Sequence, residues 1–111
     1  MSLDPEEIYA NLRARGDKWA DCDAAYKALD DVTKTVLAEC EIDARKDETN
    51  ATQAALERAG RTAPKYREHL AALGEARRSS NRARVSYDTY QVFVELMRSK
   101  AATDRAEMNL R

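Results

Sequence analysis

From Pro64 to Leu110 the sequence repeats with a period of seven. One column reads Tyr66, Leu73, Ser80, Tyr87, Val94, Ala101 and Met108; three places later a second reads His69, Ala76, Ala83, Tyr90, Met97 and Asp104. Two such columns make a seam of a and d type, the stripe by which one helix packs on another. No proline follows Pro64, so the pattern predicts one long amphipathic helix over residues 64–110.

The N-terminal half carries a single stripe: Ile8, Leu12, Trp19, Cys22, Tyr26, Leu29, Val36 and Cys40, interrupted by Arg15 and Thr33. Asp4-Pro5-Glu6-Glu7 is a helix start, with Asp4 as cap, proline at the first helical position, and Glu7 placed to reach back as in a capping box. The expected helix spans residues 5–46, with a kink near Gly16, because glycine costs about 1 kcal/mol relative to alanine in a helix interior.

Between these stripes, Lys46-Asp47-Glu48-Thr49-Asn50 breaks the periodicity. Asn50, with Gln53 three residues on, caps a short helix over residues 51–59. Gly60 is expected to end it, and Thr62-Ala63-Pro64 to start the long helix. A connector this short folds the two long helices back on each other. The proposed register sets Trp19 near Tyr90, Leu12 near Met97, Val36 near Leu73, Tyr26 against Ala83 and Leu29 against Ser80, so that large side chains meet small ones.

The fold class that follows is all-α, a long antiparallel helical hairpin of coiled-coil type with a short connecting helix, forming a single domain over residues 1–111. Val85, Val92, Phe93 and Leu96 lie off the main stripe and, with Leu37 and Ile42, suggest a second apolar face. An isolated hairpin would leave that face in water, so a homo-oligomer is expected.

Composition agrees with this reading. Of 111 residues 35% are charged and 6% aromatic, with three glycines and two prolines, which suits solvated helices better than a sheet protein. No run of alternating β-branched residues signals a strand. A two-helix chain has little interior for its surface, which again favours association. The opening Met1-Ser2-Leu3 is given no weight in the fold.

Charge is divided along the chain. Residues 1–48 hold thirteen acidic and seven basic side chains, and residues 49–111 seven and twelve, a balance of −6 against +5. The plainer reading, and the preferred one, is an acidic helix lying beside a basic one; the sharper reading is a basic face for an anionic partner. Cys22 and Cys40 both fall on the stripe. On one helix their spacing separates them by about 27 Å, too far for a disulfide. Buried reduced thiols and a cytoplasmic location are expected, with no membrane span.

The column beside the seam reads Leu70, Arg77, Arg84, Gln91, Arg98 and Arg105, with Arg78, Arg82 and Lys100 adding basic character. Arginines in a row can clamp phosphates and track a nucleic-acid backbone. The preferred reading makes them flanking coiled-coil positions paired with Asp21, Asp23, Asp30 and Asp31. Trp19 and the five tyrosines, Tyr9, Tyr26, Tyr66, Tyr87 and Tyr90, can stack on bases, but all except Tyr9 fall on the seams, where core packing is expected. His69, the only histidine, has no neighbouring cysteine for a zinc site and reads as a hydrogen-bonded helix residue. There is no glycine-rich phosphate loop and no nucleophile elbow, so neither an enzyme nor a cofactor is expected.

The run Tyr66-Arg67-Glu68-His69-Leu70, followed by Leu73 and Ala76-Arg77, and the ending Arg98-Ser99, Ala102-Thr103, Arg105-Ala106-Glu107-Met108 resemble small helical proteins of bacterial prophages. The likeness covers about the C-terminal two-thirds of the chain. It implies a phage-borne accessory protein, of a kind often encoded near recombination functions, with no established active site; no functional residues carry over. The expected function is that of a non-enzymatic, self-associating accessory protein acting through protein contacts. Two further readings are an accessory nucleic-acid binder using Arg77, Arg84, Arg98 and Arg105, and an inhibitor of a host enzyme through the acidic stripe of residues 17–43.

Overall fold

A computed structural model describes residues 4–110, so the opening Met1-Ser2-Leu3 lies outside it. The fold is all-α, a helical hairpin with a short connecting helix. Its elements are α1 (Pro5–Asp31), α2 (Thr33–Asp47), α3 (Gln53–Thr62) and α4 (Pro64–Asn109), with no strand among the described residues. Asp4 caps α1 by accepting from the Glu6 backbone N–H at 3.0 Å, and Glu6 and Glu7 sit in the first turn, where the helix dipole favours negative charge.

The first long helix is divided, but not at Gly16. α1 runs unbroken through that glycine and stops one residue before Val32, whose φ of −96° and ψ of 2° leave the helical region. The cause lies at Thr33. Its hydroxyl donates to the Leu29 carbonyl oxygen at 3.1 Å, a back-bond four residues long of the kind that bends helices. The β-branched pair Val32-Thr33 also lowers the helix preference there.

The connecting helix is shifted from its expected place too. Thr52, not Asn50, is the N-cap of α3, and its side chain accepts from the Ala55 N–H at 3.2 Å. Nor does Gly60 end the helix: α3 continues to Thr62 and stops at Ala63, which is extended at φ −62° and ψ 136°. Ala63 precedes Pro64, and the proline ring disfavours a helical conformation in the residue before it. Gly60 is instead buried against α2, for a Cβ at that position would lie 2.7 Å from Glu41 Cγ and 3.3 Å from Leu37 Cδ1. Its role is close approach of two helices rather than termination.

By packing, the chain divides into two compact units: the described residues through Asp21 together with those from Ser80 onward, and Cys22–Ser79. In the first, Ile8, Leu12, Arg15, Gly16 and Trp19 of α1 face an α4 stripe in which Ala83 and Val94 are buried. The two segments run antiparallel: Trp19 packs on Tyr87 with ring centroids 5.7 Å apart, and Arg15 reaches Tyr90. The expected partner of Trp19 was Tyr90, so the register is displaced by three residues, just under one helical turn. From Ala102 on every described residue is exposed, including Asp104 and Met108, which the seven-residue pattern placed on the seam.

In the second unit α2 and α3 pack together, with Cys40, Leu56 and Leu73 buried. Tyr26, Leu29, Thr33, Val36 and Leu37 are half-buried from one side, Tyr66, His69 and Ala76 from α4. Contacts from Tyr26 to Arg77, Thr33 to His69 and Glu39 to Lys65 descend along α4 as they ascend α1 and α2, which makes this pairing antiparallel as well. Cys22 is half-buried and both cysteines are free thiols. No described side chain has less than 2% of its surface exposed, as expected where two or three helices share one thin core.

Candidate functional site

Two features of α4 were singled out by sequence, an arginine row and a surplus apolar face. The structure treats the four arginines differently. In the unit formed by Cys22–Ser79, Arg77 donates from Nε and Nη2 to the Tyr26 hydroxyl at 3.2 and 3.0 Å. Its guanidinium carbon lies 5.3 Å from the centroid of the same ring. Arg77 is therefore held by an aromatic neighbour, through a cation–π contact and two hydrogen bonds, not by a carboxylate.

Arg84, Arg98 and Arg105 belong to the other unit and are exposed. Among the described residues none of the three has an ion-pair partner. Of the expected partners, Asp21 in the same unit makes no ion pair with them; in the unit of Cys22–Ser79, Asp23 takes Lys27 of its own helix at 2.8 Å. Arg82 and Lys100 do not extend the row. At about 100° per residue they lie some 160° around α4 from Arg84 and Arg98, so the basic side chains of this segment form no continuous face.

Among the described residues, the one arginine on the packed side is Arg15, which the apolar stripe counted as an interruption. Its guanidinium carbon sits 4.9 Å from the Tyr90 ring centroid and Nη1 donates to Ser86 Oγ at 2.5 Å. The Nε atom is buried with no hydrogen-bond partner. A half-buried guanidinium is kept here by an aromatic face and one hydroxyl, while its carbon stem packs along the seam. Thr33, the other interruption, is likewise a seam residue, 2.8 Å from His69 Nε2.

The apolar face is exposed as expected for α4. Val85 and Val92 keep 55% of their surface, Leu96 65% and Phe93 42%. Val85, Val92 and Leu96 lie on one side of the helix, about 160° from the seam. Phe93 lies between that side and the seam, with its ring 6.1 Å from Tyr90. Leu37, expected to add to this surface, is instead half-buried, facing Gly60 of α3. Ile42 is exposed in the same unit, beside a shallow notch lined by Ala38, Gln53 and Leu56.

A second shallow notch, where α1 begins, is lined by Pro5, Ile8, Tyr9, Leu12 and Arg98. The first notch also has Glu41 and Arg45 in its lining, whereas Arg98 is the one charged residue lining the second. Among the described residues no cluster of three or more His, Cys, Asp or Glu side chains is placed to hold a metal ion. No described helix is long and apolar enough to cross a membrane. The clearest candidate for a functional surface is therefore the outer face of α4 around Val92 and Leu96. Comparison with known protein families, curated proteins and solved structures finds no match for this chain.

Proposed function

We propose that this chain is a non-enzymatic, self-associating helical protein that acts through protein contacts, of the accessory kind carried by phages and prophages. The observation that supports the reading is the row Val85, Val92 and Leu96 with Phe93 beside it, each more than 40% exposed. Covering such a row removes apolar surface from water at about 25 cal/mol per Å², and a thin hairpin core has most to gain from it. Sedimentation of the purified chain at tens of micromolar tests the proposal. A dimer or higher species that Leu96→Asp dissociates, with helicity retained, supports it; a strict monomer overturns it.

A second reading is favoured by Arg84, Arg98 and Arg105, which lack carboxylate partners among the described residues. In that reading the row contacts a nucleic-acid backbone. Binding would fall steeply with salt, and each arginine removed would lower the salt slope by about one. A mobility shift that does not occur at low salt eliminates it.

A further inference from the structure

We propose that two copies of this chain associate through α4 in parallel about a two-fold axis, with Glu95 of each copy beside Lys100 of the other. The inference rests on the self-association reading and adds the occupant, the orientation and the residues that set it. On the side of α4 away from the seam the positions Val85, Thr89, Val92, Leu96, Ser99 and Thr103 follow alternating steps of four and three, the spacing of a coiled-coil stripe. All six are exposed. Three of them are apolar, and the rest are small hydroxyl side chains that permit close approach, which suits a modest, reversible dimer.

The flanks of the stripe choose the partner's direction. One flank carries Asp88 and Glu95, the other Phe93 and Lys100. In a parallel pair each flank meets the opposite flank of its neighbour, five residues further on, so Glu95 meets Lys100 and Asp88 meets Phe93. In an antiparallel pair each flank meets itself. Overlaying the three apolar residues in that direction brings Asp88 of one copy to Glu95 of the other, twice, and places like charges together. Asp88, Glu95 and Lys100 have no ion-pair or hydrogen-bond partner among the described residues, so all are free for an intermolecular contact. Exposed pairs of this kind add little affinity but decide orientation.

Two variants, Val85→Cys and Ser99→Cys, test the direction under mild oxidation, with crosslinks located by peptide mapping against the unsubstituted chain to account for Cys22 and Cys40. The parallel pair predicts a homodimer crosslink at position 85 and another at position 99. Fourteen residues, about 21 Å of helix, separate them, so no antiparallel register yields both. A second arm uses charge. Glu95→Lys and Lys100→Glu should each weaken the dimer about tenfold, and their equimolar mixture should restore it as a heterodimer. A dimer that crosslinks at one position or neither, or a mixture no tighter than its components, overturns the parallel arrangement while leaving self-association intact. A monomeric unsubstituted chain overturns both.

Discussion

Thr33 Oγ1 lies 2.8 Å from His69 Nε2, and this contact joins the one interruption of the first long helix to the long helix opposite. The threonine hydroxyl has a single proton and gives it to the Leu29 carbonyl at 3.1 Å. It must therefore accept from the imidazole, which assigns the proton to Nε2. A residue that bends its own helix thus also supplies the acceptor that orients His69.

From this relay, Thr33→Ala and His69→Ala should each lower stability by about 1 kcal/mol, since each leaves a half-buried polar group without its partner. The double variant should cost less than the sum, with a coupling of at least about 0.5 kcal/mol. Urea unfolding of the four proteins measures it, and strict additivity would show that the two side chains do not interact.

The three glycines should respond to alanine in opposite ways. A Cβ at Gly16 would meet Tyr87 no closer than 3.5 Å, and one at Gly74 would meet nothing within 4 Å. Gly16→Ala and Gly74→Ala should each stabilise, by up to about 1 kcal/mol, through helix propensity. Gly60→Ala should destabilise by about 1–3 kcal/mol, because the added methyl overpacks α3 against Glu41 and Leu37. Thermal unfolding of the three variants checks the signs.

Removing the hydroxyl at Ser86 should cost more than its size suggests. Arg15 Nη1 donates to it, and Arg15 Nε already has no partner. Ser86→Ala should therefore destabilise by about 1–2 kcal/mol, and Arg15→Met in the same chain should recover part of that loss by withdrawing the stranded charge. Trp19, the only tryptophan, stacks near Tyr87 in the same unit, so its fluorescence can follow these variants.

Lys65 Nζ binds Glu39 Oε2 at 2.6 Å, and this hydrogen bond, reinforced by the carboxylate's charge, holds the ammonium above the ordinary lysine value of 10.5. A folded-state value above the unfolded one means that the stabilisation is fully present below the ordinary lysine range and is lost as pH rises through the raised value. Both side chains are half-exposed or more, so the effect is small and screened by salt. Glu39→Gln should abolish this alkaline component, which melting curves between about pH 8 and 12 would show.

Periodicity alone determined which side of α4 would be covered. In α4 Tyr66, His69, Leu73, Ala76, Ser80, Ala83, Tyr87, Tyr90, Val94, Met97 and Ala101 are all buried or half-buried, because a repeat of seven can keep one face toward a partner. The exposure of Val85, Val92, Phe93 and Leu96 followed from the same count. Tertiary structure alone decided the axial offset of Trp19 on Tyr87, since sliding two helices past each other leaves their faces unchanged. It also decided where polar groups could enter the seam. Arg15 and Thr33 look like interruptions until Tyr90, Ser86 and His69 stand opposite them. Gly60 reads as a helix stop until α2 lies close against it. Spacing along one chain encodes direction around a helix axis, whereas hydrogen bonds and close approach depend on which atoms arrive from the other side.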